Sequence, residues 1–194
     1  MKKIIFAVAC CLSLALAGCG SQDSVQDKSQ SNEEVQVQHS ASNGLLNKFN
    51  ATDLQGDTVN EEILLGHKLT MVNVWATFCN PCIEEMPGLG ELSQEYADKG
   101  VQIVGMVSDV MASDGSIDQE QVALAQEIVD STGASYTHII PGEDLYSILY
   151  QITSVPTTFF VDESGNQVGK AYLGSRDKES WKVIISKMLE EVGQ

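Results

Sequence analysis

The sequence predicts an α/β fold in which one sheet is covered by helices on both faces, and three observations predict it. Residues 69–76 (LTMVNVWA) and 101–107 (VQIVGMV) are nearly continuous apolar runs, as in strands buried on both faces of a parallel sheet. Between them, Ile83, Met86, Leu89 and Leu92 recur at helical spacing. The chain then closes with a strand, a turn, a strand and a helix, so strands alternate with helices along the whole domain.

The elements follow in order. Folding is expected to begin near Leu45, with a short hairpin from residues 47–51 and 58–59 around Gln55-Gly56-Asp57. The strand at 69–76 feeds a helix over 80–97, which Gly100 ends. After the strand at 101–107, residues 119–131 read as a helix with Val122, Ala125 and Val129 inward. Residues 136–140 read as a short strand and 145–150 as a short helix. Residues 157–161 (TTFFV) and 167–172 are strands joined by the turn Asp162-Glu163-Ser164-Gly165-Asn166. The last helix, 177–192, carries the apolar stripe Trp181, Ile184, Ile185, Met188 and Leu189, which reads as core.

The first residues bear on compartment. Lys2 and Lys3 precede an apolar run from Ile4 to Gly18, 15 residues long. That is short of the roughly 20 residues a membrane-spanning helix needs, but it suits a signal-peptide core. It ends in Leu16-Ala17-Gly18-Cys19, which resembles a bacterial lipobox. The expected organisation is a signal peptide at 1–18, lipidated Cys19 with a polar tether to residue 44, and a folded domain over 45–194. Residues 20–44 are rich in Ser, Gln, Asn, Asp and Glu and have no aromatic residue, too little apolar surface to offset chain entropy. As a coil they would typically span about 25–30 Å. The expected location is the outer face of a bacterial cytoplasmic membrane.

The net charge is −16. Losing residues 1–18 would leave nine basic against 27 acidic residues, a charge of −18. Such a surface repels phosphate backbones and anionic headgroups, so neither nucleic-acid binding nor membrane contact through a charged face is expected. Of five cysteines, Cys10 and Cys11 would leave with the signal and Cys19 would carry lipid, leaving Cys79 and Cys82 as thiols. That pair is too close in sequence to close a stabilising loop of any size, which favours a chemical over a structural role.

Trp75-Ala76-Thr77-Phe78-Cys79-Asn80-Pro81-Cys82 lies where a buried strand feeds a helix. The first cysteine sits at the helix N-terminus, where free backbone N–H groups and the helix dipole stabilise a thiolate. The second lies within one turn and can resolve a mixed disulfide. Proline in the first turn costs little, because its missing N–H would have no helical partner. The same pair could be half of a zinc site, but that takes about four ligands. The chain offers no second such pair, and His39, His67 and His138 lack a matching spacing. No metal and no other cofactor is expected.

These residues resemble the membrane-tethered thioredoxin-like reductases of the TlpA/ResA-like group, over nearly all of the chain from Leu45 onward. Pro87 lies five residues after Cys82, and Val155-Pro156-Thr157 opens a strand as the family's cis-proline does. The 74 residues from Cys82 to Pro156 leave room for the group's helix–strand insertion, here about 109–150. The resemblance implies a thioredoxin-like mixed sheet and a thiol–disulfide oxidoreductase with Cys79 as nucleophile and Cys82 as resolving cysteine. Trp75, Pro81, Val155 and Pro156 would form the substrate groove. Asn73 stands where thioredoxins carry a buried aspartate, and Glu85 stands where ResA-like proteins carry a glutamate. At (i, i+3) from Cys82, Glu85 would face the pair and raise cysteine pKa values, or else be a solvated carboxylate, the role expected of Glu84.

Asn80-Pro81 supplies no cation, and Glu84 and Glu85 add negative charge, which favours a reductant. The resemblance implies a membrane thiol-transfer protein as electron donor. Disulfide-containing extracytoplasmic proteins are the expected partners, with apocytochrome c and a methionine sulfoxide reductase both compatible. Three other readings stay open: a disulfide-forming oxidase, a Sco-like copper-binding chaperone, and a thiol peroxidase. The copper chaperones use a Cys-x-x-x-Cys spacing that this chain lacks, and the proline expected upstream of Thr77 in a peroxidase is missing.

Overall fold

The computed structural model describes residues 44–112 and 114–193. The proposed signal peptide, Cys19 and all of the tether but Gly44 lie outside the described residues. Among the described residues, seven strands form one mixed sheet: β1 (Asn50–Asp53), β2 (Thr58–Asn60), β3 (Leu69–Trp75), β4 (Val101–Val107), β5 (His138–Pro141), β6 (Thr157–Val161) and β7 (Gln167–Leu173). Their order across the sheet is β2-β1-β5-β4-β3-β6-β7. The central strands β3, β4 and β5 run parallel, while β1, β6 and β7 pair antiparallel to their neighbours. This is the thioredoxin-like architecture, with the expected N-terminal hairpin of β1 and β2.

Among the described residues, four α-helices cover the sheet: α1 (Asn80–Ala97), α2 (Gln119–Thr132), α3 (Tyr146–Leu149) and α4 (Lys178–Val192). The three long ones share one face. Leu69 and Met71 of β3 pack there with Leu89, Leu92 and Tyr96 of α1 and with Trp181, Ile185 and Met188 of α4. Full burial of the Leu, Ile and Met side chains among them contributes about 1.5–3 kcal/mol each. The other face is thinner. Val72, Val74, Val104, Met106 and Phe159 meet Leu46 and Phe49 of the N-terminal segment, Leu64 of a 3-10 turn, and Ile148 of α3.

Local chemistry sets the helix ends. Asp118 caps α2 by accepting from the N–H groups of Glu120 and Gln121, and Gly133 ends it in the left-handed conformation, φ 69°. Asp177 caps α4 by accepting from Ser180 N–H. Pro87 lies inside α1 and is exposed. The sequence-based strand at 136–140 is found two residues later at its start, because Thr137 lends only its carbonyl, to Gly105 N–H at 2.9 Å. The short helix expected at 145–150 begins as a 3-10 turn, Glu143–Leu145, and continues as α3.

Candidate active site

Strand β3 is buried along its whole length and delivers the chain to the N-terminus of α1. The intervening loop is pinned from the next strand's end. Asp109, just past β4, accepts the Thr77 N–H on both oxygens at 2.9 and 3.1 Å and the Thr77 hydroxyl at 2.6 Å. Cys79 is the N-cap of α1, and its sulfur accepts the Cys82 N–H at 3.3 Å. Cys79 and Cys82 form a disulfide with their Cα atoms 5.3 Å apart.

Both cysteines are buried, Cys79 5% exposed and Cys82 0%. The first is therefore less open than a helix start suggests; the residue that projects is its neighbour Phe78, 75% exposed. Phe78 lines an open groove of about 540 Å³ with Ser108, Leu149, Ile152 and residues 153–155. Val155 is one of the residues that line this groove. The Val155–Pro156 bond is cis, as the sequence suggests, and Pro156 itself is buried, its carbonyl accepting from Gly174 N–H at 2.9 Å. Pro81 is exposed in the first turn of α1 and is not among the groove residues.

Trp75 needs correction. It was expected in the groove, but its side chain is fully buried on the inner face of β3, packed in one cluster with Cys79, Cys82, Met86 and Val107. Strand alternation is the reason: Trp75 shares the face of Met71 and Asn73, which α1 covers. It lies in the core cluster that holds the two cysteines and is not among the groove residues.

Glu85 is not solvated. It is 6% exposed, and three donors hold its carboxylate: Asn73 Nδ2–H at 2.9 Å, the Arg176 backbone N–H at 3.0 Å and the Trp181 indole N–H at 3.2 Å. Burial pushes the Glu85 carboxyl above its ordinary pKa, and these hydrogen bonds and the Arg176 charge offset part of that. Asn73 also donates to Thr158 Oγ1 at 3.0 Å, so it bridges β6 and α1. Glu84 is exposed, as expected.

Three contributors escaped the sequence reading. Asp109 is marked only by following a buried strand into a loop at its C-terminal end, a place where such sheets build sites. Arg176 is the sole arginine of the sequence. Its guanidinium lies 5.2 Å from both the Tyr172 and Trp181 rings, and Nη1 donates to the carbonyls of Leu173 and Gly174. His138 is buried on β5 beneath Trp75. Among the described residues, no three His, Cys, Asp or Glu side chains come together as a metal-ion cage.

A mixed sheet carrying a dithiol–disulfide pair at the N-terminus of its first long helix defines a thioredoxin-like thiol–disulfide oxidoreductase. Residues 45–167 match the AhpC/TSA family, and the chain belongs to it. The thiol-disulfide oxidoreductase ResA of Bacillus thuringiensis (strain Al Hakam) is 27% identical over 188 residues, 97% of this chain and 99% of that protein. The ResA of Halalkalibacterium halodurans is 29% identical over 131 residues, 68% of each chain. Among solved structures, a thiol:disulfide interchange protein of the thioredoxin family from Chlorobium tepidum TLS superposes with a TM-score of 0.61 at 25% identity, covering 78% of this chain and 99% of that one. The activity is thiol–disulfide exchange of the ResA type, with Cys79–Cys82 as the redox-active pair and disulfide-containing proteins as substrates.

Proposed function

We propose that the chain reduces disulfides of partner proteins on the outer face of a bacterial cytoplasmic membrane. Lipid on Cys19 anchors it, residues 20–44 act as the tether, and a membrane thiol-transfer protein supplies electrons. The lipobox-like run ending at Cys19 supports the anchor. Apocytochrome c and a methionine sulfoxide reductase are substrates compatible with this placement.

In the proposed cycle the Cys79 thiolate attacks one sulfur of the partner's disulfide. A Cys79–partner bond forms, and the other partner sulfur leaves as a thiolate that takes up a proton. Cys82, deprotonated, then attacks Cys79 Sγ, forms the Cys79–Cys82 bond and expels the second partner sulfur, which is protonated in turn. Two electrons and two protons pass to the partner. The Cys82 N–H held by Cys79 Sγ supports Cys79 as nucleophile, since the same helix-terminal donor would stabilise its thiolate. Val155 and Pro156 would shape the groove, and Pro81 would fill the first turn between the sulfurs.

The direction of electron flow rests on one observation. The first turn of α1 holds no cation, while Glu85 places a buried carboxyl one turn after Cys82. Both weaken thiolate stabilisation, and an unstable dithiol is a good electron donor. Equilibration of the soluble domain with glutathione or dithiothreitol tests this. A potential near the thioredoxin value of about −270 mV fits a reductant, whereas one near about −120 mV belongs to an oxidant and would reverse the assignment.

A further inference from the structure

We infer that His138 is a positioning residue for the Cys79–Cys82 pair, acting through Trp75. The inference rests on the redox role of that pair but holds for either direction of electron flow.

The placement begins with the sheet. Asn73 of β3, Gly105 of β4 and His138 of β5 are register neighbours, so their side-chain directions point to the face that α1 covers. Gly105 has no side chain, and a Cβ there would fall 2.1 Å from His138 Nδ1. The imidazole therefore lies over the β4 backbone, where it meets the Trp75 indole. Trp75 Nε1–H donates to His138 Nδ1 at 3.1 Å, and the two rings stand edge to face with centroids 5.5 Å apart. On its other side the imidazole stacks on Tyr136 at 4.5 Å.

The tautomer follows from the partners. His138 Nε2 lies 2.9 Å from the Ala134 carbonyl, which can only accept, so Nε2 carries the proton and Nδ1 is the bare acceptor. Both ring nitrogens are used, and burial keeps the ring neutral. A buried indole N–H needs an acceptor; His138 supplies it and so fixes the indole, which shares one apolar cluster with both cysteines. Removing the acceptor would leave the N–H free to find the sulfurs or to admit water. Either outcome stabilises a thiolate, so the wall as built holds cysteine acidity down.

His138→Val tests this in the reduced and oxidised protein. The acid dissociation constant of Cys79, read from thiolate absorbance, should rise about three- to tenfold. The reduction potential should rise by up to about 30 mV, which is a tenfold change for a two-electron couple. In a Trp75→Phe background, which removes the indole donor, adding His138→Val should change neither quantity. An unshifted Cys79 constant in folded His138→Val overturns the inference, as does an equal shift in both backgrounds. Should His138→Val alone not fold, His138→Phe, which keeps a ring but removes the acceptor, replaces it in both backgrounds, with the same expected shift beside Trp75 and none in the Trp75→Phe background. An unshifted Cys79 constant in His138→Phe, or an equal shift in both backgrounds, again counts against the inference. The wild-type potential alone decides direction, so failure of the reductant reading is told apart from failure here.

Discussion

Asp109 takes both hydrogens that Thr77 offers, the backbone N–H at 2.9 Å and the hydroxyl at 2.6 Å. Two segments that are 32 residues apart are thereby locked together two residues before Cys79 of the redox-active pair. Hydrogen bonds to a charged group contribute about 1.5–3 kcal/mol. Asp109→Ala should therefore destabilise the oxidised protein by roughly that amount, read as the shift in urea midpoint at unchanged m-value. It should also slow exchange with a peptide disulfide, because Cys79 loses its fixed approach. A variant as stable and as fast as wild type would make the contact incidental.

Glu85 carries a stability signature as well as a redox one. Its pKa is raised in the fold above 4.5. The native state therefore holds the proton more tightly than the unfolded chain, and stability from this group is full below about pH 4.5 and is lost as pH rises through the raised value. The difference in unfolding free energy between wild type and Glu85→Gln should fall with pH above that point and then level. A difference that stays flat across pH 4–8 would contradict the raised value.

The same substitution bears on the cysteines. Above its own raised pKa the Glu85 carboxylate disfavours a thiolate one turn away, and glutamine removes the charge. The Cys79 acid constant should rise by about tenfold in Glu85→Gln, with exposed Glu84→Gln as control. Equal titrations for all three proteins would confine Glu85 to a structural role, holding Asn73, Arg176 and Trp181 together.

His138 titrates with the opposite sign. Burial lowers its pKa from 6.5 to about 4. The native state resists protonation, so the stability it contributes is present above pH 6.5 and is lost as pH falls toward 4, on the order of 3 kcal/mol by then. His138→Val should abolish this part of the acid destabilisation. Parallel stability curves for wild type and variant between pH 4 and 7 would show that the ring does not titrate in that way.

Sequence alone located most elements because their signals are local. The limits of α1 are legible from the Cys79–Cys82 spacing at one end and Gly100 at the other. The buried runs of β3, β4 and β6 appear as uninterrupted apolar stretches. The site was less legible where it depends on contacts across the sheet. Trp75 stands four residues from Cys79 in the chain, which suggests a shared surface, yet alternation along β3 turns it inward. The choice between a solvated and a buried Glu85 turned on Arg176 and Trp181, 91 and 96 residues away, which no helical spacing reveals. His138 looked inert on its strand because its partner is Trp75, two strands over.

Lipid anchoring concerns residues outside the described part of the chain and is tested separately. Cys19→Ala should abolish labelling with radioactive palmitate and release the protein from the membrane fraction, since the proposed anchor is the set of acyl chains on that residue. Palmitate label on the variant, or wild-type protein secreted without lipid, would refute the assignment.

The most direct test of the central claim is to trap the exchange intermediate in cells. With Cys82→Ser the Cys79–partner bond forms but no resolving thiol breaks it, so mixed disulfides should accumulate as reducible bands on non-reducing gels. Mass spectrometry should find partner cysteines joined to Cys79, and Cys79→Ser should trap none. Adducts in Cys79→Ser with none in Cys82→Ser would reverse the two roles. No adducts in either variant would contradict dithiol–disulfide exchange with protein partners.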